Sequence, residues 1–178
     1  MGETGRPRER RSAKRRPSVW KELFGLLVRV LLLAAFGYVF FTRIFLLAQV
    51  GGMDMFPALK DGDLALAFRL QQTYAKGDVI AYQTPEGRRF GRIAAREGDV
   101  IDMDDSGAWQ VNGTAQSGEI LYPTYALEGI EYPFRVPTGC VFVLGDYRTK
   151  AADSRIYGAI GLDDVAGKVI TILRRRGL

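Results

Sequence analysis

GDVIAYQTPEGRRFGRIAAREGDVIDM, residues Gly77–Met103, is the stretch that decides the fold class. It holds three short runs that favour strands: DVIAY at Asp78–Tyr82, RFGRIA at Arg89–Ala94 and DVIDM at Asp99–Met103. β-Branched and aromatic side chains suit a half-buried pleated surface. Pro85, Gly87 and Gly98 punctuate the runs and supply turns. The pattern continues on both sides. LALAF at Leu64–Phe68 precedes it; WQV at Trp109–Val111, CVFVLG at Cys140–Gly145 and VAGKVITIL at Val165–Leu173 follow. Asp105–Gly107 and Asn112–Gly113 are turn sites where Gly supplies a positive φ. Gly118–Pro133 reads as a longer irregular connection. No helical period, internal repeat or phosphate loop interrupts this series. The expectation is an all-β domain over residues 51–178, large enough for one core.

Before that domain the chain is apolar. Leu23–Val50 reads LFGLLVRVLLLAAFGYVFFTRIFLLAQV, broken only by Arg29 and Arg43. A bilayer core takes about 20 residues of helix. Both arginines stand towards the ends of the run, where a guanidinium can reach an interface while its stem stays in lipid. Residues 22–50 are therefore expected to be a transmembrane helix. Residues 1–21 carry eight Lys/Arg against two acidic residues and read as a disordered basic tail. The positive-inside rule then leaves the N-terminus in the cytoplasm and residues 51–178 outside, in a single-pass cell-membrane protein.

Charge and composition exclude several chemistries. Residues 51–173 hold twelve Lys/Arg and seventeen Asp/Glu, so the net charge of +5 belongs to the tail. A mildly acidic domain points away from nucleic acid. The chain has no histidine and one cysteine, Cys140. That removes Ser-His-Asp and Cys-His catalysis and most zinc sites, and no metal or other cofactor is expected. Cys140 sits in an apolar run and reads as a core residue. Ser106, Ser117 and Ser154 are the only serines after residue 50, and none has an evident activating base.

One series of motifs says more. Just after the apolar run comes Asp54-Met55-Phe56-Pro57-Ala58-Leu59, then Gly62-Asp63. Gly77-Asp78-Val79-Ile80 leads to Pro85, and Gly91-Arg92-Ile93 leads to Gly98-Asp99-Val100. Asn112-Gly113 closes a hairpin, and Gly145-Asp146-Tyr147 precedes Asp153-Ser154-Arg155 and Gly158. In order and spacing, from the anchor to Ile172, the chain resembles type I signal peptidases. The resemblance implies a signal-peptidase-type β domain on an N-terminal membrane helix.

The resemblance breaks where that family does its chemistry. The family's nucleophilic serine falls on Asp54 and its general-base lysine on Gly91. A supporting serine falls on Ala151, and an asparagine on Tyr147. The framework positions remain, among them Gly145, Asp146, Asp153, Ser154 and Arg155. Losing nucleophile and base costs such a site around a millionfold in rate. An aspartic pair of Asp54 with Asp146 or Asp153 is the remaining hydrolytic route.

Three functions follow. The first is a noncutting module that holds a peptide, or a pilin or other secreted protein, at the outer membrane face. Signal-peptidase-like chains with Asp and Gly at these two positions accompany sortase-driven pilus assembly, which brings in a sortase as a partner. The second is an active signal peptidase cleaving preproteins, and the third is a membrane scaffold. The resemblance places the groove at Gly51, Gly52, Met55, Pro57, Phe90 and Ile93. Asp54 is expected at its mouth, either solvated and ready for a basic group or bonded to backbone N–H groups.

Overall fold

The structure, a computed structural model, describes residues 19–116 and 122–174. The tail's expected disorder, the start of the irregular connection and Ser117 fall outside them.

Helix α1, Val19–Ile44, has no buried residue and is long and apolar enough to cross a membrane. It starts three residues before the expected span and ends six residues before it. Phe45–Gln49 instead forms strand β1, hydrogen-bonded along β2, Leu64–Phe68. FLLAQ is as apolar as the helix before it, so hydropathy could not mark this boundary. Pairing with LALAF draws it into the sheet, with Leu46 and Ala48 turned to the core.

The domain after Phe40 is all-β in two sheets. Strand β3 is Val79–Thr84, β4 Gly87–Arg96, β5 Val100–Met103, β6 Trp109–Val111, β7 Thr114–Ala115 and β8 Phe134–Arg135. Strands β9, Cys140–Leu144, β10, Ile160–Gly161, and β11, Val165–Leu173, complete it. The larger sheet runs β1-β2-β11-β3-β4-β9-β10 and the smaller β7-β6-β5-β8. Asn112 and Gly113, with φ of 53° and 74°, make the two-residue turn from β6 to β7. Positive φ at both central residues is what a tight hairpin with right-handed twist requires.

One short helix, α2 at Ser154–Tyr157, was not legible. Four residues show no period, and Asp153 starts it by accepting a hydrogen bond from the Arg155 N–H.

Three apolar clusters fill the domain. Val50, Met55, Leu59, Ala65, Ala81 and Phe90 form the one beneath the motif segment. A second gathers Ile80, Tyr82, Ile93 and Val143 behind Gly91. The third, around Phe142 and Leu144, joins the two sheets.

Candidate functional site

Asp54 lies on the turn between β1 and β2. Its carbonyl accepts a hydrogen bond from the Tyr147 N–H at 2.9 Å. Gly145 permits this approach: a Cβ there would meet Ala151 and stand 2.6 Å from the Asp54 carbonyl oxygen. The segment after β9 therefore clamps the backbone of residue 54, with the methyl of Ala151 packed against Gly145.

The Asp54 carboxylate is neither solvated alone nor, among the described residues, capped by backbone N–H groups. Its Oδ2 stands 2.9 Å from Arg89 Nη1, with both side chains about a quarter exposed. Arg89 also holds Glu86 at 2.6 Å and lies over the Tyr157 ring. The Tyr157 hydroxyl donates to Glu86 at 2.6 Å. That bond, followed by the Arg89 contact, lowers the Glu86 carboxyl below its ordinary range. The cluster ties together the residue-54 turn, the β3–β4 hairpin and α2.

Sequence reading missed Arg89. The available signal was the period of two: Arg89 and Gly91 project from the same face of β4. A cation two residues before the lysine position thus reaches residue 54. A guanidinium does not deprotonate near neutral pH, so it neutralises Asp54 without accepting a proton.

Gly91 leaves no vacant lysine pocket. A Cβ on it would run into Val143 Cγ1 and stand 3.2 Å from Tyr82 Cε1. Tyr82 is fully buried and, among the described residues, its hydroxyl has no hydrogen-bond partner. Burial, with the charge of Asp153 adding, raises the Tyr82 phenol, so it stays protonated and cannot serve as a base.

The other carboxylates are committed. Asp146 takes a two-point bond from Arg92, Nε to Oδ1 at 2.8 Å and Nη2 to Oδ2 at 2.6 Å. Asp153 takes two from Arg155, at 2.9 and 2.8 Å, in a fully buried pair. It also accepts from the Gly145 N–H. Both carboxylates being held by arginines closes the aspartic-pair route for Asp54. Ser154 is fully buried and its Oγ accepts from the Val143 N–H. Ser106 sits in an exposed turn, bonded to Asp104. Cys140 is half-buried at the start of β9.

The expected groove residues divide. Gly51, Gly52 and Pro57 are exposed. Met55, Phe90 and Ile93 are not groove-lining side chains: they lie 1%, 6% and 1% exposed in the apolar clusters. Strand alternation explains Phe90, while Ile93 packs on the Gly91 face with Tyr82 and Val143, and Met55 tucks beneath its own turn. Phe90 and Arg88 project from the opposite face to Gly91, and Phe90 lands in the core. What the region can offer is backbone. β1 is an edge strand, and the β4–β9 ladder begins only at Arg92. The Ile93 amide bonds towards β3, so by alternation those of Arg88 and Phe90 turn away from it.

Residues 20–173 match the family model described as signal peptidase, peptidase S26. The chain is 30% identical to thylakoidal processing peptidase 1 of Arabidopsis thaliana over 68% of its own length and 40% of that protein's. It is 29% identical to signal peptidase I of Bacillus caldolyticus, over 67% of this chain and 74% of the relative. A crystal structure of a signal peptidase I from Enterococcus faecalis aligns with a TM-score of 0.45 and 25% identity, covering 56% of this chain and 98% of that one. The chain thus spans well under half the length of its thylakoidal relative.

Proposed function

Because the chain belongs to the signal peptidase family, peptidase S26, we propose that it is a member that binds an extended peptide segment without cutting it. The observation that carries this reading is the Asp54–Arg89 pair at 2.9 Å, beside a Gly91 already packed by Val143 and Tyr82. Serine–lysine hydrolysis needs a hydroxyl at the first position and an amine that can take its proton at the second. A carboxylate held by a permanent cation supplies neither. Recognition needs less: the β1 edge, the exposed Gly51, Gly52 and Arg88, and the side of β4 ahead of the β9 ladder suit addition of an extended chain.

On this reading the domain faces the outside of the cell membrane on its single helix, with the N-terminus inside. Its partner is a pilin or another secreted protein, in the setting of sortase-driven pilus assembly. The Asp/Gly substitution supports that setting.

The relatives named signal peptidase I favour a second reading, in which the chain cleaves preproteins. A photocrosslinking residue in place of the exposed Arg88, in native membranes, tests the first. The expected result is an adduct with a secreted protein whose processed or unprocessed segment stays intact through prolonged incubation. Absence of any adduct, or adducts that disappear as cleaved product accumulates, contradicts it.

A further inference from the structure

Beside Asp54 three half-buried rings form a row. Phe56 and Tyr147 have centroids 6.0 Å apart, and Tyr147 and Tyr122 are 4.7 Å apart. Lys60 Nζ lies 5.9 Å from the centre of Phe56 and Lys150 Nζ 5.4 Å from that of Tyr147. The row is anchored to the site, because the Tyr147 N–H is the group that bonds the Asp54 carbonyl. Tyr147 is also where the family's asparagine is replaced.

The lysines divide by their partners. Lys76 holds Asp99 at 3.0 Å and Lys168 holds Asp78 at 2.8 Å. Lys60 and Lys150 are exposed, and among the described residues neither pairs with a carboxylate. The two domain lysines without an acidic partner therefore stand over the rings of one row. An acidic domain would repel an acidic partner elsewhere on its surface; here two ammonium groups are free to receive one. Ring faces and edges add a geometric preference for another aromatic side chain.

Resting on the binding reading above, we propose that this row selects the partner. The occupant is an extended segment carrying an aromatic side chain flanked by carboxylates. Its ring packs against Tyr147 and Phe56, and its carboxylates take the ammonium groups of Lys60 and Lys150. Neutralising two exposed lysines gives modest attraction that salt weakens. Aromatic packing supplies the larger share, as at other binding hot spots.

The test uses the full chain in nanodiscs and three fluorescent peptides, centred on Asp-Tyr-Asp, Lys-Tyr-Lys and Asp-Ala-Asp. The Asp-Tyr-Asp peptide is expected to bind at least about tenfold more tightly than either of the others. Lys60→Glu with Lys150→Glu should invert the preference towards Lys-Tyr-Lys. Tyr147→Asn, with an unchanged melting temperature, should abolish the advantage of Tyr over Ala. Equal affinity for all three peptides, no measurable binding, or a preference untouched by the lysine reversal overturns the proposal. Mass spectrometry of the same samples separates the two readings. Cleavage of a peptide contradicts the noncutting reading, whatever the row prefers.

Discussion

At position 54 a carboxylate carries a charge that a serine hydroxyl lacks, and Arg89 stands 2.9 Å away to balance it. The pair is three-quarters shielded, so its coupling should exceed that of a fully exposed bridge while staying near 1 kcal/mol. A double-mutant cycle of Asp54→Asn and Arg89→Met, read by denaturant unfolding, should return about that value; zero coupling would make the contact incidental. Position 91 gives the sharper prediction. A lysine there must displace Val143 and Tyr82, and overpacking a tight core costs about 1–3 kcal/mol. Gly91→Lys should lose stability in that range, and the Asp54→Ser, Gly91→Lys double variant should remain inactive on a preprotein. Motif spacing along the chain is what singles out Asp54 and Gly91. Arg89 was not legible that way, because its role depends on which face of β4 meets the turn at residue 54.

The segment from β9 into α2 places the clamp on residue 54, and one buried ion pair holds that segment. Asp153 receives four bonds, from the Gly145 and Arg155 N–H groups and from two guanidinium nitrogens of Arg155. Removing one member of a buried pair leaves the other charge without its partner, at a cost of about 3–5 kcal/mol. Asp153→Ala should unfold the domain by that amount, measured in urea. The hairpin carrying Glu86 offers a pH test. Its carboxyl is held low by Tyr157 and Arg89, so its contribution is present above the ordinary carboxylate pKa and is lost as pH falls through the lowered one. The melting-temperature gap between wild type and Glu86→Gln should hold at neutral pH and close as pH falls below the ordinary carboxylate range. Most strands could be read from alternation and turn residues. β1 could not, since nothing in FLLAQ distinguishes a strand edge from the end of a membrane helix. α2 was hidden by its length, and by a cap that depends on Asp153 folding back.

For the whole molecule, an apolar helix and a β domain of the signal peptidase family fit a single-pass membrane protein. The all-β class followed from local pattern. The order of strands did not, because β11 joins β2 to β3 across nearly a hundred residues, a pairing no short window contains. If the domain lies outside, a membrane-impermeant thiol reagent should label Cys140 equally in intact and permeabilised cells; labelling only after permeabilisation would reverse the topology. The central claim is that the fold keeps the family's framework while the nucleophile position holds a carboxylate paired with Arg89 and the base position holds a glycine. Purified full-length chain incubated with a preprotein, and followed by intact-mass spectrometry, tests this most directly. The account predicts an unshortened preprotein over many hours. A product cut at the signal-peptide junction, formed by wild type and lost in Asp54→Ala, would contradict it.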